Sequence, residues 1–331
     1  MIISRTPFRV SFAGGGTDLS EFYLKEDGLV LSTTIDKYLF VAVKQQTCMA
    51  ESKFRINWSK VEFKDKIDDI EHPIVREALR MMGMDIPLEI STFADIPSQT
   101  GLGSSSAFAV GLLHALFAIK GQMVTKADLA DMAARIEVDI LGRHIGKQDH
   151  YAAAYGNLNV YTFHQDESVS VDPVLCPREI KRTVGNNIMM FYTAKKRDAS
   201  EILKNQKARM NDKHHVLTGM KNLVEPLRKI FSTGSNLKEI GRILHEGWEL
   251  KRSITEEISS PEIDEYYEKA MKAGALGGKL LGAGGGGFLL FYVEPQNQKS
   301  VSESLSDLYQ LPFGFDSVGT QITYYDQPIE K

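Results

Sequence analysis

The sequence predicts an α+β protein of two domains, and three observations lead there. Strand-like and helix-like segments interleave through the first half of the chain. A polar, irregular stretch over 164–187, with Pro173 and Pro177, then breaks the pattern. The second half opens on an apolar strand, turns mostly helical to about Gly274 and closes on further strands. The boundary falls inside the polar stretch, giving domains 1–175 and 176–331.

In chain order, Phe8–Phe12 and Tyr38–Val43 are short, apolar and rich in β-branched or aromatic residues, which suits strands. Lys53–Trp58 and Leu88–Phe93 alternate as half-buried strands do. Pro73, just before Ile74–Met82, suits the first turn of a helix. Two longer helices are expected over Ser104–Lys120 and Lys126–Leu141, the second opening on Thr125 and Asp128 in the manner of a capping box. Asn157–Phe163 is a strand, and Ile188–Tyr192 opens the second half. Lys279–Leu281, Phe288–Val293, a helix near Gln296–Tyr309 and the strand Ser317–Tyr324 complete it.

Composition narrows the classes of function. The 331 residues allow a substantial core, and 43% hydrophobic with 25% charged residues is ordinary for a globular protein. A net charge of −4 argues against nucleic acid or an acidic membrane surface as partner, while leaving room for a positive pocket. The two cysteines, Cys48 and Cys176, form no disulfide framework or metal-ligand spacing and read as reduced thiols. Met1–Arg5 has no signal-peptide core, and the apolar run Ala107–Ile119 is short for a membrane span. The expectation is a cytoplasmic protein.

Glycine concentrates in three places. In the sharpest, Gly101-Leu102-Gly103-Ser104-Ser105-Ser106 runs straight into an apolar helix. Glycines let backbone approach a ligand, and the helix start offers open amides and a positive dipole end to an anion. The serines add hydroxyls suited to phosphate oxygens or a hard cation. A plain serine-capped loop needs fewer of these residues, so phosphate binding is the better reading. No Lys-Ser or Lys-Thr follows, so this is not a P-loop, and the protein-kinase motifs are absent. A serine hydrolase using one of Ser104–Ser106 is the alternative enzyme class. The first cluster, Gly14-Gly15-Gly16-Thr17-Asp18, ends a strand; it is either a tight turn or a ligand turn in which Asp18 accepts from vicinal hydroxyls. The third, Gly282-Ala283-Gly284-Gly285-Gly286-Gly287, fits Gly-x-Gly-x-x-Gly, yet a strand follows it where a dinucleotide site needs a helix. A glycine loop joining two strands at a ligand is the better account. Glu137 and Asp149 could each be solvated surface; their apolar or small neighbours argue for more.

These segments in this order, with Glu137 and Asp149 between the second and third clusters, resemble the GHMP kinases, among them galactokinase and the homoserine, mevalonate and phosphomevalonate kinases. The resemblance runs from Pro7 to Phe288. It implies an N-terminal domain with a left-handed βαβ crossover, a C-terminal ferredoxin-like domain, and an active site between them that uses ATP and Mg2+. By that resemblance Gly101–Ser106 cradle the ATP phosphates, and Ser105 and Glu137 ligate magnesium. Asp149 faces the acceptor hydroxyl, and Arg9 neutralises charge at the transferring phosphoryl group. Gly284, Gly285 and Gly286 line the substrate side. Phosphoryl transfer asks mainly for positioning and charge neutralisation, which this set can supply. The nucleotide-base pocket is expected around Phe54–Asp69, where no residue carries a specific signal.

The first cluster separates branches of the family. Galactokinases carry Gly-Glu-His-Thr-Asp where this chain has Gly14–Asp18. The Gly-Gly-Gly-Thr-Asp-Leu form resembles the D-glycero-D-manno-heptose phosphate kinase branch, with the fucokinase domain a near neighbour. Phe191-Tyr192-Thr193 followed by Arg197 and Ala199 resembles the heptose branch as well. The implied acceptor is the anomeric hydroxyl of a heptose 7-phosphate, on a route to nucleotide-activated heptose for bacterial surface glycans. Gly15, Gly16, Thr17 and Asp18 would hold the sugar. Its phosphate would meet Arg197, with Arg143, His144 and Lys147, or Lys195 and Lys196, as other cations; a Lys-Lys-Arg run after a strand is also an ordinary solvated turn. A fucokinase- or galactokinase-like enzyme acting on a free sugar, or a regulator that binds sugar and ATP without turnover, are the alternatives.

Overall fold

The computed structural model describes residues 1–47, 49–194 and 212–326; Cys48, Lys195, Lys196 and Arg197 lie outside them. The first half runs β1 (Ile2–Ala13), α1 (Ser20–Tyr23), β2 (Gly28–Gln45), β3 (Phe54–Asn57), β4 (Val61–Lys64), α2 (Pro73–Met82), β5 (Leu88–Ala94), α3 (Ser104–Ile119), α4 (Lys126–Ala134), α5 (Gln148–Tyr155), β6 (Leu158–Phe163) and β7 (Val169–Pro173). There follow α6 (Arg178–Asn187), β8 (Ile188–Tyr192), α7 (His214–Asn222), α8 (Val224–Thr233), α9 (Glu239–Arg252), α10 (Pro261–Lys272), β9 (Gly277–Leu280), β10 (Phe288–Tyr292), α11 (Gln298–Ser304), β11 (Tyr309–Gln310) and β12 (Gln321–Tyr325).

Strands β1 and β2 pair antiparallel from Ile2↔Val43 to Ala13↔Leu31 and form the middle of the larger sheet. Its order is β12-β1-β2-β5-β3-β4, with β6 and then β7 added along β2. The βαβ unit is β3–α2–β5, whose strands pair in parallel. Helix α3 is apolar on nearly every face and buried against this sheet, so close that a Cβ on Gly111 would lie 2.7 Å from Thr6 Oγ1. The smaller sheet, β11-β8-β10-β9, is antiparallel throughout. Counted among its own four strands the order is 4-1-3-2, which is the ferredoxin-like arrangement. One apolar core runs from Ile2 to Leu311 through both sheets, and a second gathers around Trp248, Tyr267 and Phe291.

Three expectations are corrected. The stretch 164–187 is not irregular: it holds edge strand β7 and the amphipathic helix α6, whose apolar face is reduced to half-buried Ile180 and buried Val184 among charges. The helix near Gln296–Tyr309 is shorter, ending at Ser304. The closing strand β12 leaves the second half and pairs with β1 in the first sheet, so the chain crosses the boundary twice. Among the described residues no helix is long and apolar enough to cross a membrane.

Candidate active site

A cavity of about 790 Å³ opens between the two sheets, and all three glycine clusters reach it. The loop before α3 enters through left-handed glycines, Gly101 at φ +82° and Gly103 at φ +79°. Gly103 occupies the N-cap position, and no side chain caps the helix, so its first-turn amides face the cavity together with Ser104, Ser105 and Ser106. Leu102 is buried beneath them, its carbonyl accepting from Arg9 N at 3.2 Å. The third cluster braces this loop backbone to backbone. A Cβ on Gly282 would lie 2.5 Å from Gly101 Cα, and one on Gly287 would lie 2.3 Å from Thr100 O. Gly282 and Ala283 form the wall here. Gly284 and Gly285 turn instead toward Ile258, whose carbonyl accepts from Gly285 N at 2.9 Å, and Gly286 stands with them outside the lining.

Arg9 and Asp149 meet at the centre. Arg9, projecting from β1 and 6% exposed, donates through Nε and Nη2 to the two oxygens of Asp149, both at 2.5 Å. Its Nη1 donates to Gly101 O at 2.6 Å. This bidentate fork fixes the plane of the carboxylate and ties it to the glycine loop. Asp149 stands half-buried in the first turn of α5, and Gln148 beside it holds a second, buried acid, Asp18. Asp18 accepts from Gln148 N at 3.2 Å, Gln148 Nε2 at 2.9 Å and Gly16 N at 3.0 Å. Burial, and next the negative charge of Asp149, raise its pKa against those backbone bonds. Gly15 and Gly16 line the cavity beside it. Thr17 does not: it is fully buried, its hydroxyl donating to Gly14 O at 2.8 Å and accepting from Leu29 N at 3.0 Å. It holds the turn rather than facing the cavity.

Glu137 lies one layer back, fully buried in a turn of π-helix over Arg135–Ile140, where Leu141 N reaches Ile136 O at 3.0 Å. Its Oε1 accepts short hydrogen bonds from Ser105 Oγ and Arg143 Nη1, and Oε2 meets His150 Nε2 at 2.9 Å. Burial alone would raise its pKa, but His150, Arg143 and Ser105 outweigh that and hold it below the ordinary value. Ser105 and Glu137 thus offer two hard oxygens at one point, and a cation, the Arg143 guanidinium, already rests against both at 2.8 Å from Ser105 Oγ. Two protein oxygens fit Mg2+, which keeps most of its water. Among the described residues no three His, Cys, Asp or Glu side chains cluster as a metal site.

Sequence reasoning missed two features. One is the apolar end of the cavity, built by Leu39, Trp58, Phe93, Ile96 and Phe108 around His72. The His72 ring centre sits 4.7 Å from that of Trp58 and 4.8 Å from that of Phe108, and burial pushes its pKa down to about 4, so the imidazole is neutral. Only Trp58 falls in the segment expected for the base. The other is a pair of buried lysines. Lys279 Nζ donates to Ser11 O at 3.0 Å and Phe12 O at 3.2 Å, and Lys251 Nζ donates to Gly282 O. Burial, then Arg9, pushes Lys251 down to about 8; burial, then Lys251 and Arg9, push Lys279 to about 7. A signal existed for Lys251, which falls on the apolar stripe of α9 after Ile240, Leu244 and Trp248.

An open helix N-terminus, an arginine-locked carboxylate and a paired serine and glutamate around one cleft define a phosphotransferase site of the GHMP type, and the chain belongs to the GHMP kinases. Residues 73–157 match the GHMP kinases N terminal domain and residues 221–311 the GHMP kinases C terminal, together more than half of the chain. It is an enzyme that transfers phosphoryl groups to an alcohol acceptor. The particular proteins it resembles include the D-glycero-alpha-D-manno-heptose 7-phosphate kinase of Campylobacter jejuni, 29% identical over 97% of this chain and 98% of that one. A galactokinase of Pyrococcus furiosus is 23% identical over 95% of each chain. The crystal structure of a D-glycero-D-manno-heptose 1-phosphate kinase from Bacteroides thetaiotaomicron superposes with TM-score 0.80 at 25% identity, covering 99% of this chain and all of that one.

Proposed function

We propose that the protein is an ATP- and Mg2+-dependent sugar kinase that phosphorylates the anomeric hydroxyl of D-glycero-D-manno-heptose 7-phosphate, supplying a heptose bisphosphate for nucleotide-activated heptose in the cytoplasm. The observation that carries the reading is the floor of the cleft. Gly15 and Gly16 leave open space beside Asp18, and Asp149 is held edge-on by Arg9 next to the phosphate loop. A sugar whose hydroxyls donate to Asp18 would present its anomeric oxygen to Asp149. Likeness to the heptose 7-phosphate kinase along nearly the whole chain favours a seven-carbon sugar over galactose.

In this reading the adenine base enters the apolar end between Trp58, Phe93 and Phe108, and the terminal phosphates meet the amides of Gly103–Ser106. Ser105 and Glu137 would hold Mg2+, which when bound screens charge on the phosphates. Asp149 would accept a hydrogen bond from the acceptor hydroxyl and take its proton as the bond from that oxygen to the γ-phosphorus forms and the bond from the γ-phosphorus to ADP breaks. Arg9 keeps Asp149 in place and offers positive charge to the phosphoryl oxygens. Arg197, named by resemblance for the substrate phosphate, lies outside the described residues.

The test is a coupled ADP-release assay over heptose 7-phosphate, galactose, fucose and mannose, with and without magnesium. The heptose phosphate is expected to exceed each free hexose in kcat/KM by at least about a hundredfold, the scale of one buried charged contact left unpaired. Equal kcat/KM for a free hexose would reject the heptose phosphate while leaving a sugar kinase.

A further inference from the structure

The buried lysines are costly as they stand. Lys251 and Lys279 are each 7% exposed and line the cleft, and among the described residues neither forms an ion pair. Arg9, whose charge acts on both lysines, is already paired with Asp149. An ammonium taken out of water with no ion-pair partner destabilises a fold, so two side by side call for one. Each also has donors to spare, because Lys279 spends two of its three N–H groups on main-chain carbonyls and Lys251 spends one. Beside them Ser11 is 8% exposed, and its hydroxyl, on the same cavity wall, is buried with no hydrogen-bond partner. A buried hydroxyl without a partner is rare in a folded protein.

We propose that Lys251, Lys279 and Ser11 Oγ form the subsite for the phosphate that the acceptor sugar already carries, a reading that rests on the acceptor being a sugar phosphate. A phosphate monoester dianion supplies the missing charge and accepts from all three groups at once. Position assigns it to the acceptor rather than the nucleotide. The carbonyls that hold Lys279 belong to Ser11 and Phe12, which lead directly into Gly14–Gly16, and Asp18 is the acid whose charge acts on Lys251. The nucleotide phosphates have their own donors in the first turn of α3. Among the described residues the other cations near the cleft are committed. Arg143 is bound to Ser105 and Glu137, and Lys147 lies over the Tyr23 ring at 5.3 Å with Glu167 3.9 Å away.

The experiment is calorimetric titration without nucleotide, using D-glycero-D-manno-heptose 7-phosphate, the same heptose without phosphate, and inorganic phosphate. In the wild type the phosphorylated sugar is expected to bind at least about thirtyfold tighter than the bare one. Lys251→Met and Lys279→Met should each collapse that ratio to within about threefold and abolish binding of inorganic phosphate. Methionine keeps the stem and removes a buried charge, so the variants should melt no lower than wild type. Phosphate should raise the melting temperature of the wild type but not of the two lysine variants, and Ser11→Ala should give a smaller loss of the same kind. If one lysine variant fails to fold, the other and the phosphate-induced melting shift of the wild type still decide. A ratio preserved in the lysine variants overturns the subsite. So does a loss of turnover or of ATP-analogue affinity with sugar phosphate binding intact, which would assign the lysines to the transferred group. A wild type that binds both sugars equally rejects the sugar-phosphate reading itself and is distinguishable from either.

Discussion

At the scale of single residues, the Arg9–Asp149 fork separates positioning from packing. Asp149→Asn keeps the shape of the side chain but not its capacity to take a proton, so turnover should fall at least about a hundredfold while ATP-analogue affinity stays within about twofold. Single-turnover kinetics beside nucleotide titration check both; turnover within a few-fold of wild type would remove Asp149 from the chemistry. The lysines give a pH signature. Lys279 faces Lys251 and Arg9, and Lys251 faces Arg9 and Asp18; their pKa values near 7 and 8 stand well below the ordinary 10.5. A sugar phosphate monoester is mostly dianionic above about pH 6, so the affinity for the heptose 7-phosphate should fall between pH 7 and 9 as first Lys279 and then Lys251 lose protons. Stability moves the other way. The unfolded chain keeps these protons up to about 10.5, so the ligand-free protein gains stability as pH rises from 7 toward 10, a slope that Lys279→Met should flatten. Urea titrations at three pH values measure it. These residues also show what a sequence reveals of a site. Asp149, Glu137, Ser105 and the glycines could be read because ordered spacing carries them. Lys251 showed only as a lysine on an apolar helix stripe, and its meaning comes from Arg9 and Asp18, more than 230 positions away.

At the scale of elements, the phosphate loop and the third glycine cluster act as one part. Gly282→Ala would set a Cβ 2.5 Å from Gly101 Cα at a residue with φ +74°, whereas Gly83→Ala, at the end of α2 with φ +60°, meets nothing within 4 Å. Both pay the left-handed penalty of roughly 1 kcal/mol. Only Gly282→Ala should also push the loop out of place, lowering ATP-analogue affinity about tenfold or more; thermal melts paired with nucleotide binding separate the two costs. Equal effects would mean that the clusters touch without depending on each other. Element identity was legible where burial or capping marks the sequence, as in the continuous apolar runs of β8 and β10, the apolar stripe of α2 and the start of α4, where the Thr125 hydroxyl accepts from Asp128 N at 3.1 Å. It was hidden where solvent erases that period. Edge strand β7 shows one half-buried residue in two, and α6 keeps a two-residue apolar face, so both resemble loop. The π-turn was invisible for a different reason. It follows from where the Glu137 carboxylate must point, which no local pattern records.

At the scale of the whole molecule, the two sheets share one core and one cleft, and β12 returns from beyond the second sheet to close the first. The split at 175/176 remains a proposal about where two units meet, with β12 belonging in space to the first. Pairing of β12 with β1 brings Met1 and Asp326 together, Asp326 N donating to Met1 O at 2.9 Å. Met1 and Asp326 therefore nearly close the described chain into a ring, and the seam between these two residues is one possible opening among several. Joining them through a short glycine-serine linker and cutting at the exposed turn 121–123, where Met123 is fully exposed, should give a circular permutant that folds and keeps kcat/KM within about threefold. An unfolded permutant would show that β1 must be made first for the sheet to form. If the permutant is active, either new terminus can carry a tag, a tether or a second enzyme, at a point the seam of β1 and β12 does not reach.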